Sequence, residues 1–255
     1  MQQTSSSLIE VPATPEYVLE VLLDQSRQEW SKLSCTPPDP ILVTLDSRLE
    51  ELCEACDFQD SEDIYFCPIT WFDLKYNEWD AALAGSVLES TRDYCEIIAS
   101  LITMPRIPLR SFCGKTCQPA SVFLSIRALL QEAGADVKDI APSTSLKEFT
   151  RCYTETFLGP IAKLAPGSLP DVDLDDGGKF RREMIKGLWS IPVLIGFLIK
   201  SWAPLYFVIV LLVYLKLILD SWGDETAPNA RVDFGELRTF RDLSELIAQC
   251  AVFQA

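Results

Sequence analysis

The sequence predicts a mainly α, membrane-anchored protein in which amphipathic helices build the polar regions and one hydrophobic stretch ties them to a bilayer. Three observations carry this expectation. Apolar residues recur at helical spacing in 14–33, 79–102, 119–133 and 237–248. Strand-like runs are few and short. Residues 187–219 hold only two charges, Lys200 and Lys216. At ~1.5 Å per residue that run would extend ~50 Å against a hydrocarbon core of ~30 Å. It is too long for one upright span and short for two.

Taken in order, the chain opens with a polar start over 1–13. Thr14 can cap the first helix, Pro15 suits its first position, and Glu16 favours the positive dipole end. Tyr17, Val18, Val21, Leu22 and Trp30 form its apolar face, predicting a helix to about Leu33. The CTPPDP segment at 35–40 breaks the chain. Ile41–Leu45 is a short β-prone run, and Asp46 or Ser47 can cap a helix bearing Leu49, Leu52, Cys53 and Cys56 on one face. An acidic loop follows at 57–63. Ile64–Phe72 contains Pro68 and predicts an extended or edge-strand segment. Trp79–Ile102 reads as one long helix, ended by the two prolines of MPRIPLR. Val122, Phe123, Ile126, Leu129, Leu130 and Ala133 make one stripe on a further helix, with Gly134 placed to end it.

Composition narrows the function. The net charge of −15 argues against nucleic acid as a partner, because phosphate binding needs a basic surface. There is no histidine, which excludes Ser-His-Asp and Cys-His catalysis and histidine metal ligands. Nine cysteines follow a start with no apolar signal region, so the thiols are expected to be reduced.

Leu129, Leu130, Gly134, Asp136, Ile140, Pro142, Thr144 and Leu146 follow one another as a helix, a glycine stop, an acidic turn and a Pro-x-Thr-x-Leu loop. This order resembles the acyl carrier protein family. By the resemblance, 157–170 matches the second carrier helix and 237–248 the last. In that last helix Thr239 and Asp242 make a capping pattern, with Phe240, Leu243, Leu246 and Ile247 inward. The resemblance implies a carrier-like helical bundle of 119–178 and 232–250, preceded by a mostly helical region over 1–115. It departs from the family at the prosthetic-arm serine. The place of Asp-Ser-Leu falls near Cys152–Tyr153–Thr154, whereas Asp46-Ser47 and Asp220-Ser221 lie elsewhere. A phosphopantetheine arm is therefore not expected, and no cofactor is implied.

The hydrophobic run interrupts this bundle. Lys179, Arg181, Arg182 and Lys186 precede it, which places that flank in the cytoplasm. If both flanks belong to one bundle, residues 184–220 form a transmembrane or re-entrant hairpin turning at Lys200–Pro204. Trp189, Pro192, Lys200, Trp202, Pro204, Tyr206, Tyr214, Lys216 and Trp222 are its candidate membrane residues, as interfacial anchors, bends or snorkelling lysines. Membrane lipid and another protein are the expected partners.

Cys53, Cys56, Cys113 and Cys117 are candidate zinc thiolates by spacing, although buried or idle thiols are the commoner reading. No phosphate-cradling glycine motif is present. The expected function is a non-catalytic, membrane-anchored interaction or scaffold module with its polar parts cytoplasmic. The alternatives are a carrier-type accessory bearing a thioester, or a thiolate zinc protein.

Overall fold

The computed structural model describes residues 8–32, 41–58, 61–86, 88–112, 114–171, 173–175 and 231–254. Almost all of these belong to one compact unit, Met1–Leu174 with Val232–Ala255. Two hydrophobic cores fill it, one per half of the sequence.

The first half starts with strand β1, Ile9–Pro12, and helix α1, Pro15–Lys32, whose Tyr17 amide donates to Thr14 Oγ1 at 3.3 Å. Helices α2 (Leu49–Cys56), α3 (Ser61–Phe72), α4 (Tyr76–Leu83) and α5 (Thr91–Leu101) follow. Val18, Leu22, Leu52, Trp79, Tyr94 and Ile98 are all fully buried between them. Strand β2, Thr103–Pro108, returns antiparallel to β1, with Ile9 opposite Arg106.

In the second half, β3 (Ser111–Phe112) and β4 (Lys115–Thr116) form a small hairpin before α6, Gln118–Glu132. Helices α7 (Lys147–Cys152) and α8 (Thr154–Thr156) lead into a π turn at Phe157–Ile161 and a 3₁₀ turn at Ala162–Leu164. Strands β5 (Asp173–Asp175) and β6 (Arg231–Asp233) pair with each other. Helix α9, Phe240–Cys250, packs on α6, and β7, Phe253–Gln254, runs parallel to β2. Phe240 is fully buried, with Phe123, Phe149 and Phe157 rings 5.3–6.4 Å away.

The two halves repeat one motif, bond for bond. On α1 the buried positions include Val18, Leu19, Val21, Leu22 and Ser26; on α6, Val122, Phe123, Ser125, Ile126 and Leu130 keep the same spacing. In the loops that follow, Thr44 N donates to Ser47 Oγ (3.2 Å) and Ala141 N to Thr144 Oγ1 (2.9 Å). Each loop then holds the start of the half's last helix. Thr91 N and Arg92 N donate to Ser47 O and Leu45 O, as Phe240 N and Arg241 N do to Thr144 O and Pro142 O. Single β-bridges join Arg48 to Ser90 and Ser145 to Thr239. Both last helices carry a capping box, Ser90 with Asp93 and Thr239 with Asp242.

Several expectations are corrected. Ile64–Phe72 is helical despite Pro68. A proline at 68 leaves the Ile64 carbonyl without its helical donor, and the Tyr94 hydroxyl supplies one at 2.7 Å. The predicted helix 79–102 is two helices, broken where Gly85 adopts φ +83° and restarted by the Ser90 cap. MPRIPLR is mostly strand β2, because its prolines sit where the chain is already extended. Residues 157–170 form no regular α-helix but a π turn and a 3₁₀ turn around Gly159 and Pro160.

The membrane-anchored fold class is also corrected. Among the described residues no helix is long and apolar enough to cross a membrane. The longest, α1, is amphipathic: Glu16, Glu20, Asp24 and Arg27 lie opposite the buried stripe of Val18, Leu19, Val21 and Leu22, so it is apolar on one face only. These residues form a mainly helical unit with a small sheet, rather than a bundle split by a transmembrane hairpin. The predicted hairpin, 184–220, lies outside the described residues.

Candidate functional site

Of the predicted site residues, three are among the described ones: Cys53, Cys56 and Cys117. Cys53 and Cys56 sit one turn apart on α2, whereas Cys117 precedes α6 in the other half and is exposed. Cys113 lies outside the described residues, as do Trp189, Pro192, Lys200, Trp202, Pro204, Tyr206, Tyr214, Lys216 and Trp222. Among the described residues no group of three or more His, Cys, Asp or Glu side chains could hold a metal ion.

What the fold does assemble around Cys56 is a set of thiols. Burial pushes the Cys56 thiol up to about 12, and the neighbouring Cys53, Cys67 and Cys95 add to the effect. Cys95 is likewise raised to about 12 by burial. Such thiols stay protonated at neutral pH and are poor nucleophiles and poor metal ligands. They pack as small apolar groups in the first core, beside Tyr94.

The junction of the halves is polar. Tyr17 Oη donates to Lys163 O (3.3 Å) and Gln25 Nε2 to Leu158 O (2.9 Å). Lys163 Nζ donates to Trp71 O and stands 5.7 Å from the centre of the Phe72 ring. Burial pushes the Lys163 amine below its ordinary range, partly offset by Asp73. Arg27 bridges the buried Asp24 (2.6 Å) and Asp171. These titratable groups are spent on holding one half to the other.

The surface of α3 and α4 differs. A chain of rings runs from the first core outward. Tyr94 meets Trp79 at 6.1 Å, Trp79 meets Tyr65 at 6.4 Å, and Tyr65 meets Phe66 and Tyr76 at 5.1 and 5.6 Å. Tyr94 and Trp79 are fully buried, whereas Phe66 and Tyr76 are 49% and 59% exposed. Trp79 Nε1 donates to Tyr65 O (2.9 Å), which fixes α4 against α3. Asp80, exposed, accepts from Tyr65 Oη at 3.4 Å. The nearby cation Lys75 is engaged by Glu78 at 2.8 Å. Sequence reading passed over this surface because Pro68 disguised α3. The i,i+4 spacing of Glu62 with Phe66, and of Tyr76 with Asp80, was the available signal.

A concavity of about 230 Å³ lies between the sheet and α6, lined by Leu8, Glu10, Thr103, Pro105, Leu129 and Glu132. Thr103 Oγ1 donates to Glu10 Oε2 across it at 2.8 Å. Comparison of the chain with protein-family models, curated proteins and solved structures finds no match.

Proposed function

We propose that this protein is a non-catalytic interaction module, built from two copies of one helical motif and working through its acidic surface in a reducing compartment. One observation carries the reading. The side chains that burial perturbs, Cys56, Cys95, Tyr94, Tyr17 and Lys163, serve internal packing or the junction of the halves, and Tyr65, perturbed at the surface, is bonded to its neighbours Tyr76 and Asp80. Groups used this way hold a scaffold rather than poise a reaction. The net charge of −15 suits partners with basic surfaces. The resemblance of 129–146 to acyl carrier proteins supports the same direction, since those residues lie on α6 and the loop that caps α9. In-cell cross-linking of the full chain tests the proposal. A discrete protein partner whose complex dissociates at high salt is expected; a chain that cross-links to nothing overturns it.

One observation favours the thioester-bearing alternative. Ser61 opens α3, and Asp60 precedes it in the sequence. In the repeated motif this helix follows the half's loop and α2, where a carrier would present its Asp-Ser. Glu62 stands where the family has leucine, which counts against an arm there. Intact mass after co-expression with a phosphopantetheinyl transferase separates the two readings. An unchanged mass is expected; the mass of one arm, lost in Ser61→Ala, establishes the carrier.

A further inference from the structure

We infer that the face formed by Tyr65, Phe66, Tyr76 and Asp80 docks an arginine-bearing amphipathic helix of a partner protein. The inference deepens the interaction role proposed above and rests on it. Exposed rings are the first reason. Phe66 and Tyr76 are 49% and 59% exposed while both rest on Tyr65, so they form one continuous apolar surface rather than scattered side chains. That surface is stiff. Its rings are backed by the fully buried Trp79 and Tyr94, and Trp79 is hydrogen-bonded to the α3 backbone, so little order is left to impose on binding.

Charge selects the partner. Asp80 lies four residues after Tyr76 and Glu62 four before Phe66, so each carboxylate stands on the same helix face as an exposed ring. Lys75, a cation beside this face, is paired with Glu78. A guanidinium lies flat on an aromatic ring while its edge bonds a carboxylate, and this surface offers both partners at the spacing of one side chain. An ammonium makes the second contact but stacks poorly. Anionic lipid and nucleic acid are repelled by the same carboxylates.

The test uses the full chain and a fluorescein-labelled amphipathic helical peptide carrying leucine on one face and arginine on the other. Companion peptides replace arginine with lysine or with glutamate. Fluorescence anisotropy is expected to show the arginine peptide binding about threefold or more tightly than the lysine peptide. The glutamate peptide is expected not to bind. Asp80→Asn should weaken arginine-peptide binding about threefold and Phe66→Ala with Tyr76→Ala about tenfold. Glu132→Gln, which removes an equal charge on α6, should change nothing. Far-UV circular dichroism checks that the variants keep the fold, and photo-cross-linking should place the peptide on α3 and α4. Equal binding by wild type, Asp80→Asn and the double variant overturns the surface assignment, as does equal loss in Glu132→Gln. Those outcomes leave the interaction role to its own cross-linking test, so the two failures are distinguishable.

Discussion

Replacing Tyr94 with phenylalanine isolates one buried hydrogen bond that ties α5 to α3. The Tyr94 hydroxyl is its donor and the Ile64 carbonyl its acceptor, at 2.7 Å, with the Tyr94 residue fully buried. The bond exists because Pro68 has no amide to offer that carbonyl inside α3. Tyr94→Phe keeps the ring and its packing on Trp79 but leaves the acceptor unsatisfied. Such a loss costs about 1–3 kcal/mol, more than the mean worth of a hydrogen bond. The mechanism makes a sharper claim. In a Pro68→Ala background the residue 68 amide can bond Ile64 O, so Tyr94→Phe should then cost less, by about 1 kcal/mol or more of coupling. Urea unfolding of the four proteins, at matched m-values, measures both terms. A Tyr94→Phe penalty of the same size in both backgrounds refutes the argument, because the hydroxyl would then not be substituting for the missing amide.

Four further outcomes follow from the structure. Ser90→Ala and Thr239→Ala should each lower stability by about 1 kcal/mol in chemical unfolding, and by similar amounts, since the two caps are the same structure. Hydrogen bonds from Ser90 and from Thr239 hold the Asp93 and Asp242 carboxyls below their ordinary values. Asp242→Asn should therefore cost stability at neutral pH, with the difference from wild type fading as pH falls below about 4 toward the depressed folded value. Lys163 slopes the same way, but in the alkaline range. Its folded value lies below its unfolded one, so the unfolded chain binds more protons and its stability contribution rises with pH between the two; Lys163→Met should flatten that rise in pH-resolved thermal melts. In thiol titration of the native protein, Cys117, Cys152 and Cys250 should react readily, and Cys56 and Cys95 only on unfolding.

Which parts of this fold could be read from the sequence depended on whether the deciding signal was local. Helix α1 was legible because Thr14, Pro15 and Glu16 mark its start, and α9 because Thr239 and Asp242 make a box within one turn. Helix α6 ended where Gly134 allows φ +90°. Helix α3 was not legible, because what rescues its proline is a hydroxyl thirty residues away on α5. Strand β2 was hidden for the same reason: its prolines read as a stop until β1 is seen beside it. The exposed aromatic face of α3 and α4 was lost with α3. Seen from the structure, Ser-x-x-Asp at 90–93 and Thr-x-x-Asp at 239–242 are the traces of the repeated motif, too short to stand out alone.

The repeat bears on residues 176–230, which contain the hydrophobic run. In the first half the loop at Arg48 is joined to the cap at Ser90 through α2, α3 and α4. In the second, the loop at Ser145 reaches its cap at Thr239 only after a much longer stretch that includes 176–230. The first half completes the motif without any such run, so the motif itself does not call for one. Strands β5 and β6, which flank that stretch in the sequence, pair with each other. Replacing 176–230 with a short Gly-Ser linker should therefore leave the core around Phe240 intact. Closing a shorter loop costs less entropy, by about 0.6 kcal/mol for each halving of its length, so stability should hold or rise slightly. Urea unfolding of the shortened and full chains decides the point, read alongside the reactivity of Cys56 and Cys95. A shortened chain that stays unfolded, or loses more than about 2 kcal/mol, would mean that the second half, unlike the first, is built around its inserted stretch.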